Sequence, residues 1–282
     1  MSMRSPRFAS LLGIPLLALG CASNSATQPR QLDATRASAP VTAANAPAEA
    51  AKRSFTFVLV HGAWGGGYAF KDVENRLRAD GHEVHRVTLT GQGERAHLYS
   101  PDITLSTHVQ DVVNTILYED LHNVVLVGHS YGGMVITGVA DQVPDRISRL
   151  IYVDALLPEN GESWSTAVHG DLIVKPDANG YLTPDWLVPG EAPPHDVPQS
   201  AKTATEPLIL KHEDLTRKIP GTYLLLIDPG KKAEEDRFYP FYERAKARGY
   251  ALMSMESGHN AQRTKPAELV EMLEKAGMGN GE

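Results

Sequence analysis

Gly128-His129-Ser130-Tyr131-Gly132 stands directly after an apolar run, Val124-Val125-Leu126-Val127, and directly before a segment with an apolar helical face. A serine held on so sharp a strand-to-helix turn needs residues without bulk on either side. Gly128 and Gly132 meet that need, and the turn lifts the Ser130 hydroxyl above a sheet edge. The plainer reading of the same string is a structural Gly-Ser turn. A serine hydroxyl is a poor nucleophile without a base. Of the 11 histidines, His259 is the outstanding candidate. It follows the last strand in Met255-Glu256-Ser257-Gly258-His259, ahead of the closing helix, and so shares a sheet edge with Ser130. His129, on the tight turn itself, points elsewhere. A surface or helix-capping role is the competing reading for His259.

The base needs an acid that fixes its tautomer and stabilises the imidazolium. Asp228 comes directly after the run Tyr223–Ile227 and satisfies the chain order Ser, Asp, His, so it is the preferred acid. Asp154, after Leu150-Ile151-Tyr152-Val153, is the rival, and Asp236 a more distant one. Acyl transfer also requires backbone donors where an oxyanion develops. The Tyr131 N–H is one. The second belongs to the turn His61-Gly62-Ala63-Trp64-Gly65-Gly66-Gly67, with Ala63 as the best candidate. The same glycines lack the Lys-Ser/Thr ending of a phosphate-cradling loop. The other histidines show no metal-ligand spacing, and no dinucleotide fingerprint is present, so the expectation is no metal and no cofactor.

The elements that must position these groups alternate. Strands are expected at 55–60, 83–88, 124–127, 147–153, 223–227 and 251–255, and helices at 69–79, 105–119, 132–141, 234–248 and 264–276. The first strand is nearly all apolar or β-branched, as a strand covered on both faces should be. Such alternation predicts an α/β chain with a mainly parallel central sheet flanked by helices. Residues 158–216 break the pattern with several prolines, scattered aromatics and an excess of Asp and Glu over Lys. A stretch this long between regular elements reads as an inserted, partly helical lid. Trp64, Trp164, Tyr181, Trp186 and Leu187 are the candidate lining of a substrate pocket.

The 282 residues are 42% hydrophobic and 22% charged, enough for one sizeable core over residues 54–282. With 27 Lys+Arg against 34 Asp+Glu the formal charge is −7. A concentrated positive surface for nucleic acid is therefore not expected. The one cysteine excludes an intramolecular disulfide and a thiolate zinc cluster. Arg4 and Arg7 precede the apolar run Leu11–Gly20, which ends at Cys21. That run suits the apolar region of a secretory signal and is too short for a transmembrane helix. Residues 1–21 are thus expected to be a signal peptide and 22–53 a flexible tether. The Gly20-Cys21 junction resembles the lipid-attachment signal of bacterial lipoproteins, although Ala18-Leu19 departs from its usual order. Lipidation of Cys21 would give a membrane tether, and a plain signal cut near Ala22 is the alternative. The expected location is exported: periplasmic, membrane-anchored or secreted.

Taken together, Phe57–Trp64, Gly91-Gln92-Gly93-Glu94-Arg95, Leu105–Val109 with Asp111-Val112, the Ser130 turn, Tyr152–Ala155 and Ser257-Gly258-His259 resemble the α/β-hydrolase superfamily. The nearest resemblance is to its cofactor-free branch of bacterial carboxylesterases, plant methylesterases and hydroxynitrile lyases. It implies Ser130 as nucleophile, His259 as base and the amides of Ala63 and Tyr131 as oxyanion hole. It puts the acid just after the strand at 223–227, where this chain has Asp228-Pro229. An acid at the place of Asp154 would be additional to it. The lyase branch carries a lysine after the catalytic histidine, and this chain has Asn260, which argues against cyanohydrin cleavage. Trp64 and the three glycines after it imply a roomier acyl pocket.

The expected activity is hydrolysis of small to medium, largely apolar carboxylic esters through an acyl-enzyme. Amide or lactone hydrolysis, or a cofactor-free lyase or ring cleavage, is the alternative on the same fold. A non-catalytic small-molecule binding protein is the alternative from a different class. The expected partner is a small ester, and the oligomeric state is not legible.

Overall fold

The computed structural model describes residues 53–279. The expected signal segment, the tether up to residue 52 and Cys21 lie outside the described residues. Six strands form one parallel sheet: β1 Thr56–Val60, β2 Glu83–Val87, β3 Val124–His129, β4 Ile147–Val153, β5 Gly221–Ile227 and β6 Ala251–Glu256. Their spatial order is β2-β1-β3-β4-β5-β6. Five main helices cover it: α1 Lys71–Ala79, α2 Leu105–Tyr118, α3 Gly132–Gln142, α4 Tyr239–Ala247 and α5 Pro266–Met278.

Alternation along the central strands divides the core. In β1 and β3, Val58, Val60, Val124 and Leu126 point into the apolar layer that α2 and α3 share with the inserted segment. Phe57, Leu59, Val125 and Val127 point into the opposite layer, under α1 and α5. Side chains on a strand alternate faces, so a strand buried on both sides has to be apolar throughout.

The strand order reverses direction between β1 and β3, since β2 lies to one side of β1 and β4 to the other side of β3. At such a switch point the loops after the two neighbouring strands diverge and leave a crevice at their carboxyl ends. The turn at 61–67 and the turn carrying Ser130 are those two loops. The sheet topology alone therefore brings the nucleophile turn and the glycine-rich turn together.

The inserted segment contains short helices, Trp164–Ala167, Lys202–Thr205 and Glu213–Thr216. It also has a two-residue antiparallel ladder, Tyr181–Leu182 with Gln199–Ser200. It is fastened to the core at its return, where the buried Asp141 carboxylate of α3 accepts the amides of Lys211 (2.9 Å) and His212 (2.6 Å).

Candidate active site

Ser130 follows β3 with a φ of 55°, the left-handed region that a residue with a side chain seldom adopts. Three backbone bonds hold it there. Its amide donates to Val153 O (3.3 Å), and its carbonyl accepts from Gly133 (3.1 Å) and Leu156 (3.0 Å). The turn is also sterically closed. A Cβ on Gly132 would lie 2.8 Å from the carbonyl oxygens of Val60 and His61, and one on Gly133 only 1.9 Å from that of Leu156.

His259 lies in the loop after β6, which begins with the Ser257 amide bonded to Ile227 O at 2.9 Å. Its Nδ1 donates to Asp154 Oδ2 over 2.6 Å. Asp154 is only 1% exposed and also has a positive φ, 45°. Its amide donates to Leu224 O (2.8 Å), and its Oδ1 accepts the Leu226 amide (3.2 Å). Burial pushes the Asp154 carboxyl up from the ordinary value, and the hydrogen bond and charge of His259 oppose that rise. Phe238 stacks on the imidazole with ring centres 4.9 Å apart. His129, neutral through burial and the neighbouring His259, donates from Nε2 to the His259 carbonyl at 2.8 Å.

The preferred acid, Asp228, is not the carboxylate that His259 bonds. Asp228 pairs with Lys231 Nζ at 2.7 Å and its side chain is 44% exposed. The β4–β5 ladder ends at Val153 opposite Leu224, while β5 runs on to Ile227. Asp228 therefore sits about 10 Å farther along the strand direction than the level at which Asp154 leaves the sheet. Asp236 is occupied as a local cap, accepting the Phe238 amide at 2.7 Å.

Ser130 and His259 line one cavity of about 680 Å³ together with Ala63 and Tyr131. Among the described residues, the amides of Ala63 and Tyr131 meet no hydrogen-bond partner, whereas that of Trp64 is taken by Gln199 Oε1 at 3.1 Å. Two unpaired N–H groups thus flank the nucleophile turn, the arrangement a developing oxyanion requires. Beneath them the chain is rigidly satisfied. His61 donates from Nδ1 to Gly62 O (2.7 Å) and accepts the Leu89 amide at Nε2 (3.1 Å). His108 joins the Tyr131 hydroxyl (3.0 Å) to Thr90 O (3.0 Å). Burial lowers both histidines to about 4, so both are neutral at pH 7.

Of the expected lining residues, Trp64, Trp164 and Trp186 face the cavity. Their indoles meet edge to face, Trp64 against Trp164 at 5.8 Å and against Trp186 at 5.3 Å. Tyr181 and Leu187 are not part of the wall. Tyr181 instead stacks on Tyr99 at 4.2 Å, because its place in the small ladder turns it toward the loop before α2. Phe238, Phe241 and Leu156 also line the cavity. Sequence reading missed Phe238 and Phe241 because apolar residues spaced three apart at the start of an amphipathic helix look like ordinary core, and Leu156 because it lies in the loop after β4 with no periodic pattern around it.

Residues 57–272 match the alpha/beta hydrolase family. The chain belongs to that family. The chain is similar to the carbendazim hydrolyzing esterase of Nocardioides sp. (strain SG-4G), 55% identical over 107 residues, 38% of this chain and 44% of the relative. It is 35% identical to a pyrethroid hydrolase of Sphingobium wenxiniae over 113 residues, 39% of each chain. The chain thus spans less than half the length of these curated relatives. Among solved structures it resembles an extracellular alpha/beta-hydrolase from a Paenibacillus species. That likeness has a TM-score of 0.63 at 26% identity and covers 79% of this chain and 98% of the other.

Proposed function

We propose that the protein is a serine hydrolase of carboxylic esters, with Ser130 as nucleophile, His259 as base and Asp154 as the acid. The observation that carries this reading is the shared cavity. It contains a serine on a strained strand-to-helix turn, a histidine whose far nitrogen is bonded to a buried carboxylate, and two unpaired amides.

Because Nδ1 of His259 donates to Asp154, the lone pair of Nε2 is free to accept a proton. Nε2 takes the Ser130 proton as Oγ adds to the ester carbonyl. The carbonyl oxygen becomes an oxyanion held by the amides of Ala63 and Tyr131. The imidazolium returns its proton to the departing alcohol and leaves an acyl group on Ser130. A water deprotonated by the same nitrogen then releases the acid. Asp154 remains an anion throughout and stabilises the imidazolium.

The indole and phenyl walls favour apolar, aromatic-bearing esters of small to medium size. Similarity to enzymes named for carbendazim and pyrethroid hydrolysis makes both compounds worthwhile substrates to try. The test is hydrolysis of p-nitrophenyl esters from acetate to decanoate, with carbendazim and a pyrethroid beside them, by wild type and Ser130→Ala. Turnover that disappears in the variant is expected. A folded wild type inert on every ester would overturn the reading and redirect attention to amides, lactones and ring cleavage.

We also propose export, on Arg4, Arg7 and the apolar run ending at Cys21. Fractionation of cells producing the full chain, with mass analysis of its N-terminus, distinguishes lipid on Cys21 from a cut near Ala22. Full-length protein in the cytosol would contradict both.

A further inference from the structure

Trp64 directly follows one of the two unpaired amides and has a φ of 64°. A bulky residue holds that conformation only where its surroundings over-determine it. Here the restraints all come from the inserted segment. The Trp64 amide donates to Gln199 Oε1 (3.1 Å), its indole Nε1 donates to Leu182 O (2.9 Å), and its carbonyl accepts the Val197 amide (2.8 Å).

Gln199 is the only one of these three partners that acts through a side chain, and it is 1% exposed. Its Nε2 donates to Thr203 Oγ1 at 2.7 Å, and Thr203 Oγ1 donates to Ser200 O at 2.6 Å. Thr203 is itself fully buried. The chain of bonds fixes which end of the Gln199 amide faces Trp64, and so where an acceptor stands for that N–H. With its own amide so engaged, Trp64 cannot compete for the oxyanion. The bond to Gln199 thereby fixes the plane of the Ala63–Trp64 peptide, one α-carbon away from the Ala63 N–H, and so restrains the direction in which that N–H can point.

Resting on the hydrolase reading above, we propose that Gln199 is a positioning residue for the oxyanion hole, acting through Trp64 to aim the Ala63 amide. It touches no substrate, since it is not part of the cavity wall. In consequence the inserted segment would shape the transition state as well as cover the pocket. Loss of the acceptor should lower catalysis without altering ground-state binding.

The test compares Gln199→Leu, Gln199→Glu and Thr203→Val in the full chain, after a thermal melt has shown each to be folded. Two inhibitors of matched shape are used, a phenyl alkyl ketone and its trifluoromethyl counterpart. Ser130 Oγ adds to the fluorinated carbonyl carbon, the carbonyl π bond opens to an oxyanion, and His259 keeps the serine proton. The plain ketone binds without adding. For Gln199→Leu, kcat and the affinity for the fluorinated ketone should both fall about tenfold, part of the roughly 10²- to 10³-fold that losing a whole oxyanion donor costs. KM and plain-ketone affinity should stay within twofold. Gln199→Glu keeps an acceptor for Trp64 but loses the donor to Thr203, so it should recover part of the loss, and Thr203→Val should show a smaller loss of the same kind than Gln199→Leu.

Equal weakening of both ketones would mean that Gln199 merely shapes the wall, and would overturn the proposal. So would an unchanged preference in Gln199→Leu. If that variant does not fold, the Glu and Val variants decide on the same ratio. A wild type that turns over no ester and adds to neither ketone would instead overturn the hydrolase reading, and this assignment with it.

Discussion

His259 Nδ1 and Asp154 Oδ2 are 2.6 Å apart, and the carboxylate that receives this bond is buried at the end of β4 while also accepting the Leu226 amide of β5. One carboxylate thereby ties together the ends of two neighbouring strands and the loop that follows the third. The imidazole is held between that carboxylate and the face of Phe238. Removing the charge while keeping the shape should misassign the tautomer. Asp154→Asn is therefore expected to lower kcat by roughly 10³- to 10⁴-fold. Asp228→Asn should stay within about threefold of wild type, its partner being the exposed Lys231. Steady-state kinetics on one ester, with both variants side by side, checks this. A large loss in Asp228→Asn alone would return the acid to that position.

Glycine at 133 is demanded by the backbone packed against it. Since an added Cβ would lie 1.9 Å from Leu156 O, Gly133→Ala should cost about 3 kcal/mol or more and abolish soluble folded protein or sharply lower its Tm. Gly65→Ala meets nothing nearer than 3.8 Å and should melt within about 2 °C of wild type. Thermal melts of the two variants make the comparison.

Acid should destabilise the fold through its buried histidines. His61 and His108 titrate near 6.5 when unfolded and at about 4 in the folded chain, because burial disfavours the charged ring. The unfolded chain then binds more protons between those values, so stability rises with pH across the window. Each histidine contributes on the order of 3 kcal/mol that is fully present above pH 6.5 and is lost as pH falls to 4. Chemical denaturation from pH 7 to 4 should show this slope, and His108→Gln should flatten it. An identical slope in the variant would contradict the assignment.

Trp186 is the most accessible of the three indoles, 46% exposed, and is held by its edge-to-face contact with Trp64 and by Nε1 donation to Asp196 Oδ2 at 3.2 Å. Trp186→Ala should raise KM for a benzoate ester about five- to tenfold, as loss of one aromatic contact predicts. KM for the acetate should barely change, and so should Tm. Equal effects on both esters would remove Trp186 from the acyl-binding wall.

The turn that carries Ser130 and the place of His259 beside the same cavity were legible because their signals are local: a glycine-flanked serine after an apolar strand, and a histidine just past the last one. The alternation of elements was legible for the same reason, and the strand ends agree to within two residues. The acid was not. Asp154 and Asp228 each follow an apolar strand, and only the β4–β5 register decides which of them meets His259. Tyr181 failed similarly, since its direction depends on a two-residue ladder closed by Ser200 from far along the chain. Positive φ at Trp64 has no sequence signature, since a bulky residue rarely adopts it, whereas at Ser130 the flanking glycines announce the sharp turn. Strain of on the order of 1–3 kcal/mol at each is sustained by the packing around them.

The most direct test of an acyl-enzyme on Ser130 is intact-mass analysis during the pre-steady state with p-nitrophenyl acetate. The expected result is a burst of p-nitrophenol, about one per protein molecule, with one acetyl group on the peptide that contains Ser130. Neither should occur in Ser130→Ala. Turnover of the same size in that variant, or an acetyl group on any other side chain, would contradict the account.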